Sequence, residues 1–283
     1  MKISIKIDRS IISSLRRRQL QIDRRTRSLD LGLRRSLYKG YGLEFEDYRE
    51  YTAGDSIKHI DWKVYGRTEK LYLKLFSEER RTVIAVVLDL SRSMFFSEEK
   101  ISHAFNIAVG LSALALLNRD KVYLRLGERA FTFDQFNHLL TKFSMIQLEA
   151  GFKGFDQLSL ENLPRDPSKV FVISDFFEEL DTVRKNFSII SRKQFDICAI
   201  QILDKSELHP DFAKWSFVKD LENERELPVN KALEREYSKN LVNHIKTLKK
   251  LAFLYKIRFV SHSTNDDLAN FFLKKLLKEK VLR

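Results

Sequence analysis

The residues of this chain best suited to chemistry are oxygen donors that follow two apolar runs. Asp89, Ser91 and Ser93 form a D-x-S-x-S pattern at the end of the first run, 83–90, and Asp175 follows a second run. Carboxylates and hydroxyls are hard donors suited to Mg²⁺, which takes six ligands and usually keeps some waters. A lone Asp after a strand often only caps the next helix, whereas D-x-S-x-S directly after an apolar strand is a stronger signal. The pattern predicts a divalent-cation site.

The elements that must position these donors alternate between strands and helices from Arg81 onward. The predicted strands are 83–90, 121–127, 129–133, 169–176, 196–203, 215–218 and 257–262, and the predicted helices are 98–118, 134–145, one from about 180, 230–253 and one from 266. Apolar runs rich in Val and Ile are typical of parallel strands buried on both faces. The alternation predicts an open, mostly parallel α/β sheet with helices on both faces. Right-handed crossovers then collect the carboxyl ends of the strands, and with them Asp89 and Asp175, at one edge.

The chain divides into three parts by pattern. Residues 1–37 form a basic segment that is predicted to be helical. Residues 38–80 hold four of the nine glycines and two stretches of period-two alternation, which predict a small β-rich unit. Residues 81–283 form the α/β domain.

The positive charge lies at the two ends of the chain. The net charge is +12, with +9 in residues 1–40 and +8 in residues 231–283. The arginines of the predicted helix 11–36 suit nucleic acid, anionic lipid or an acidic protein, or they form a solvated helix face. Aromatic residues are absent before Tyr38, so the stacking groups of a single-strand binder are missing there. An acidic protein partner therefore ranks above nucleic acid.

Composition excludes several classes of protein. Of the 283 residues, 43% are hydrophobic, enough to form a core. Cys198, the single cysteine, permits no intrachain disulfide or multi-cysteine zinc site. Charges occupy the place of a signal-peptide apolar region, and no uninterrupted apolar window reaches about 18 residues, so a cytoplasmic location without a membrane span is expected. Neither a glycine-rich phosphate loop nor a G-x-S-x-G elbow occurs, and no small-molecule substrate is evident.

Two sets of residues resemble known families. Asp89, Ser91, Ser93 and Asp175 resemble the metal-ion-dependent adhesion site of von Willebrand factor A domains. The segments 42–45, 47–51, 54–55, 60–63, 67–68 and 78–80 resemble the signature of a bacterial family called domain of unknown function 58, which joins such a block to a von Willebrand A-like domain. The resemblance runs from about residue 30 to the end of the chain.

The resemblance implies a von Willebrand A-like fold preceded by the β-rich unit. It also implies that Mg²⁺, for which Mn²⁺ can substitute, is held by the four residues named above and binds a carboxylate of a partner, so that the site recognises and does not catalyse. Family members are often encoded beside MoxR-type AAA+ ATPases and are regarded as adaptors or chaperone-like cofactors. The implied partners are such an ATPase and a client protein.

One departure from the adhesion-site pattern concerns the expected threonine. The corresponding segment, 151–156, has Phe155 at that position, followed by Asp156. A phenyl ring cannot ligate Mg²⁺, so either water or Asp156 fills the gap, or metal binding is weak or lost.

Two functional hypotheses remain from the sequence. The first is a non-enzymatic interaction module, and the second is a metal-dependent hydrolase or a nucleic-acid-binding protein that uses the basic N-terminal segment. The module is favoured because acid–base residues beyond the carboxylates are not evident. Phe95, Phe96, Phe176 and Phe177 follow the two motifs and either rim the site for a partner or pack beneath its loops.

Overall fold

A computed structural model describes residues 2–6, 15, 18–21, 43–52, 55–78, 82–150, 163–164, 167–193, 195–211, 217–219, 226–228 and 231–282. Two compact units are present, one formed by Met1–Ser28 with Thr82–Arg283 and the other by Leu29–Arg81. The sequence predicts boundaries after residues 37 and 80. The structure instead groups the first 28 residues with the α/β unit.

The elements are as follows. The strands are β1 (Lys2–Lys6), β2 (Leu43–Glu50), β3 (Tyr72–Glu78), β4 (Val83–Leu88), β5 (Lys121–Leu126), β6 (Arg129–Phe133), β7 (Met145–Glu149), β8 (Lys169–Ser174), β9 (Asp196–Leu203), β10 (Phe217–Lys219), β11 (Glu226–Pro228) and β12 (Arg258–Ser263). The helices are α1 (Trp62–Thr68), α2 (Glu98–Leu117), α3 (Phe136–Phe143), α4 (Leu180–Ser191), α5 (Lys205–Leu208), α6 (Lys231–Leu254), α7 (Leu268–Asn270) and α8 (Leu276–Lys278), with 3₁₀ turns at Ile57–His59 and Ser93–Phe95 and a π-helical turn at Phe271–Lys275.

The α/β unit is built on a six-stranded sheet in the order β12-β9-β8-β4-β5-β6. All neighbouring strands are parallel except β5 and β6, which form an antiparallel hairpin. Taken in chain order, the strands lie 3-2-1-4-5-6 across the sheet, the order of doubly wound folds. The mixed α/β class and the mostly parallel sheet are thus confirmed. The direction of winding reverses between β4 and β8, which is where such sheets bind ligands.

Alternate residues of β4 enter two different cores. Val86 packs in a cluster that includes Phe105 of α2, whereas Val87 packs in a second cluster with Phe187 of α4 and Leu248 of α6. Helices therefore cover both faces of the sheet. Burying a side chain of this size contributes about 1.5–3 kcal/mol, so β4 is anchored from both sides.

Helix α2 is long and apolar enough to resemble a membrane span. Its most apolar window is 83% buried within the protein, however, as in the core helix of a globular domain. A close approach explains its one glycine: a Cβ on Gly110 would lie 2.6 Å from the ring of Phe272.

Three local features differ from the sequence prediction. Helix α3 is capped at Gln135 and not at Asp134, and it ends at Phe143, because the following residues form β7. Strand β1 lies within the segment 1–37 that is predicted to be helical, yet it pairs antiparallel with β7, so the helical prediction is wrong for these residues. Residues 18–21 lie within the predicted N-terminal helix, yet Leu20 forms a bridge with Leu282; most of the remaining predicted helix lies outside the described residues.

The smaller unit contains the predicted pair of strands, β2 and β3, which run antiparallel with a bulge between Phe45 and Asp47. Helix α1 lies between them in sequence. Its N-cap is Asp61, whose carboxylate accepts hydrogen bonds from the backbone N–H groups of Lys63 and Val64 and from the hydroxyl of Tyr48. Asp61 belongs to the segment 60–63, one of those that carry the family resemblance. It therefore has a structural role, because it fixes the start of α1.

Candidate functional site

The predicted donors meet at the carboxyl edge of the sheet, at the reversal point between β4 and β8. The backbone N–H of Asp89, the residue after β4, donates to the carbonyl of Ile173 in β8 at 2.9 Å. This bond holds the turn that carries Ser91 and Ser93 against the strand that ends before Asp175. Four of the five predicted site residues are brought to one edge; the fifth, Asp156, lies outside the described residues, as does Phe155.

The carboxylate of Asp89 organises the turn. Its Oδ1 accepts the backbone N–H of Ser91 at 2.8 Å, and its Oδ2 accepts the hydroxyls of Ser91 at 3.1 Å and Ser174 at 2.8 Å. The hydroxyl oxygens of Ser91 and Ser93 are 3.1 Å apart. One carboxylate and three hydroxyls, those of Ser91, Ser93 and Ser174, therefore lie together at this turn.

The electrostatic environment of Asp89 is unfavourable to its charge. The side chain is 1% exposed, and burial, followed by the negative charge of Asp175, raises its pKa to about 6 from the ordinary 3.8. The hydrogen bonds from Ser174 and Ser91 oppose this change without cancelling it. No salt bridge of Asp89 is present among the described residues. A cation placed beside this carboxylate would relieve the unfavourable charge.

A buried lysine forms the second half of the site. The ammonium of Lys100, in the first turn of α2, donates to Asp175 Oδ2 at 2.8 Å, to Glu207 Oε1 at 2.7 Å and to the carbonyl of Ser93 at 3.0 Å. Its side chain is fully buried. Burial alone would lower the pKa of Lys100, but the attraction of the two carboxylates raises it, so the ammonium stays charged. Nζ also lies 5.4 Å from the ring centre of Phe177.

Glu207 is fixed by a capping box at the start of α5. Its Oε2 accepts the backbone N–H of Asp204 at 2.7 Å, while Asp204 Oδ1 accepts the N–H of Ser206 at 2.8 Å. Asp204 is also hydrogen-bonded to Ser97, the N-cap of α2. The ends of β4, β8 and β9 are thus connected through Lys100 and these caps.

The four phenylalanines after the motifs divide between core and surface. Phe95 and Phe176 are buried, which agrees with packing beneath the loops, whereas Phe96 is exposed and Phe177 is half-buried. Phe176 has a φ of 55°, a conformation that costs energy for a residue with a side chain. Its N–H donates to Ser174 Oγ at 3.0 Å, and its carbonyl oxygen lies 2.7 Å from Nε2 of His244, so contacts on both sides hold it in place.

Part of this region is similar to one family of proteins. A sequence model of the family described as "Protein of unknown function DUF58" matches residues 47–133. The matched range contains Asp89, Ser91, Ser93 and Lys100. Uncharacterized proteins of Mycobacterium bovis and Mycobacterium tuberculosis are 25% identical to this chain over 255 residues, which is 84% of the chain and 80% of each relative.

A similarity to a solved structure was also found. The crystal structure of the conserved hypothetical protein BatB from Bacteroides thetaiotaomicron superposes with a TM-score of 0.38 and 15% identity, covering 70% of this chain and 96% of that one.

Lys100, Glu207 and Ser174 belong to the site but are not among the residues predicted from the sequence. Ser174 directly precedes Asp175 and was open to detection by position alone. Lys100 and Glu207 are 107 residues apart, and each stands in an ordinary helix-start pattern. Only the folded chain, which brings the start of α5 to the start of α2, makes them a pair.

Proposed function

We propose that the α/β unit is a von Willebrand A-like interaction module that captures a carboxylate of a partner protein through a divalent cation. The supporting observation is the convergence of Asp89, Ser91, Ser93 and Asp175 at the reversal point of the sheet. This position suits ligand binding because sheets of this type bind ligands outside the carboxyl ends of their strands, where the direction of winding reverses.

The donor set fits Mg²⁺ or Mn²⁺. Asp89 supplies a buried carboxylate with a raised pKa and no salt bridge among the described residues, and Ser91 and Ser93 supply hydroxyl oxygens beside it. Among the described residues, no group of three or more His, Cys, Asp or Glu side chains is arranged to hold a metal, so a closed all-carboxylate site does not account for this edge. An incomplete oxygen set suits a cation that keeps positions for water and for a ligand oxygen.

Each residue would have a distinct task. Asp89, Ser91 and Ser93 would hold the cation, which when bound supplies positive charge for an incoming carboxylate. Asp175 has Oδ2 committed to Lys100, and its Oδ1 accepts the N–H of Phe177 at 3.3 Å, so it acts chiefly through its charge. The exposed ring of Phe96 offers the partner an apolar contact beside the site.

The contacts of Ser91 favour binding over nucleophilic catalysis. Its hydroxyl is hydrogen-bonded to Asp89 and lies 3.1 Å from that of Ser93, and within the described part of the chain no histidine contacts it that could serve as a base. The proposal that the partners are a MoxR-type AAA+ ATPase and a client protein rests on the family resemblance. The proposal of a cytoplasmic location rests on the sequence pattern.

Calorimetric titration tests the proposal. Mg²⁺ and Mn²⁺ are titrated into the metal-free protein, into Asp89→Ala and into Asp181→Ala, a matched control whose carboxylate is 91% exposed on α4. Saturable binding by the wild type and the control, lost in Asp89→Ala, is expected. Equal binding by all three proteins, or none by the wild type, would overturn the proposal.

A further inference from the structure

The cation already present at this edge is the ammonium of Lys100. All three of its N–H donors have acceptors, at 2.7–3.0 Å, and two of the acceptors are the carboxylates of Asp175 and Glu207. The third acceptor is the carbonyl of Ser93, a residue of the D-x-S-x-S turn. The ammonium therefore contacts both the D-x-S-x-S turn, through Ser93, and Asp175.

The position of Lys100 is costly in two ways. Lys100 lies at the third residue of α2, where the helix dipole disfavours a positive charge. Its complete burial removes the charge from water, which is unfavourable unless the ion is paired. The two carboxylates compensate for both costs. Apolar side chains in place of all three charged groups would often be at least as stable, so the presence of this buried charged cluster calls for a reason.

We propose that Lys100 is a resident counter-cation that limits the affinity of the site for divalent metal. This inference rests on the proposed function. Lys100 neutralises Asp175 and takes one of its oxygens, so an incoming cation meets Asp89 as the one unpaired carboxylate among the described residues of the turn. Metal is then held weakly by the protein alone and more firmly once a partner carboxylate adds its charge. Binding of metal and binding of partner are coupled as a result.

Neutralising Lys100 and neutralising Glu207 should have opposite effects on the affinity for metal. Removing the positive charge in Lys100→Met frees Asp175 for the metal and should tighten Mn²⁺ binding by about tenfold or more, because a neighbouring unit charge shifts such equilibria by at least this factor. Removing the negative charge in Glu207→Gln leaves the ammonium fully directed at Asp175 and should weaken Mn²⁺ binding by roughly threefold or more. General damage to the site would weaken binding in both variants.

The test measures free Mn²⁺ by electron paramagnetic resonance during titration of the full chain. The proteins are the wild type, Lys100→Met, Glu207→Gln and the double variant Lys205→Met/Glu99→Gln. The last is a matched control, because Lys205 and Glu99 form an exposed salt bridge of 3.0 Å between the same two helices. Thermal melts in EDTA identify any variant that fails to fold, and Glu207→Gln, which keeps Lys100, provides a reading if Lys100→Met does not.

Opposite shifts in the two variants, with the control within about twofold of the wild type, would support the inference. Weaker or unchanged binding in Lys100→Met, or unchanged or tighter binding in Glu207→Gln, would overturn it. If neither the wild type nor Lys100→Met binds Mn²⁺, the proposed function itself fails. Binding by Lys100→Met alone would support the role of Lys100 while contradicting a metal-dependent function of the natural chain.

Discussion

Replacing Asp89 by Asn should make the protein more stable at neutral pH. In the folded state the pKa of Asp89 is about 6, against an ordinary value of 3.8, because the carboxylate is buried near Asp175. Since the folded pKa is the higher one, the ionised carboxylate opposes folding: this cost grows as pH rises from 3.8 to 6 and is complete above 6. The difference between the two pKa values corresponds to roughly 3 kcal/mol.

Asn removes the charge and keeps the size of the side chain. Its carbonyl oxygen can still accept the N–H of Ser91, and its amide can donate to the hydroxyl of Ser174. Allowing for weaker hydrogen bonds to a neutral group, we expect Asp89→Asn to raise the free energy of unfolding at pH 7.5 by about 1–3 kcal/mol. The gain should shrink toward zero at pH 4.0, where the wild-type carboxylate is protonated in the folded state.

Urea unfolding followed by circular dichroism in EDTA, at pH 7.5 and pH 4.0, measures this difference. Asp181→Asn, on the exposed face of α4, is the control and should change stability by less than about 0.5 kcal/mol at either pH. A loss of stability in Asp89→Asn at pH 7.5, or a gain that is the same at both pH values, would refute the electrostatic account of the site. A gain would identify Asp89 as a residue retained for binding at the expense of stability.

Three further predictions concern other parts of the chain. Burial lowers the pKa of His262 to about 3, so its neutral form contributes stability above pH 6.5 that is lost as pH falls toward 3. We expect urea unfolding to show that the difference in unfolding free energy between the wild type and His262→Gln falls by roughly 1.4 kcal/mol per pH unit between pH 7 and 4. Gly110→Ala should lower the free energy of unfolding by about 1–3 kcal/mol in the same assay, because its Cβ would overlap the buried ring of Phe272. Gly66→Ala is the control: its Cβ would have nothing within 4 Å, so it should be neutral or stabilise by up to about 1 kcal/mol. Equal effects of the two substitutions would contradict the packing described. Asp61→Ala removes the N-cap of α1 and should cost about 1–2 kcal/mol, seen as faster hydrogen exchange of the α1 amides; unchanged exchange would show that the cap is dispensable.

The strand ends could be predicted because their signal is local. The run that becomes β4 is apolar at almost every position, which indicates burial on both faces, and general topology rules place Asp89 and Asp175 at the same edge. The predicted bounds of β9 (196–203) agree with the structure at both ends. Such features depend on residues within a single element.

What escaped prediction depends on distant parts of the chain. Lys100 resembles any charged residue in the first turn of a helix until Glu207, from the far side of the sequence, packs against it. The sequence of β1 does carry a local signal, because Ile3 and Ile5 alternate with polar residues. Both side chains are buried in the structure. A five-residue strand with three polar positions is nevertheless weak on its own, and its pairing with β7 spans about 140 residues.

Proton relaxation of acetate measures directly whether this edge binds a carboxylate through a divalent cation. Acetate is added to the protein loaded with Mn²⁺, and the relaxation rate of its methyl protons is compared with that in free Mn²⁺ and in Asp89→Ala at equal metal concentration. We expect faster relaxation with the wild type than with either control, because the carboxylate would lie beside the paramagnetic ion. Rates equal to those of the Asp89→Ala sample would contradict it.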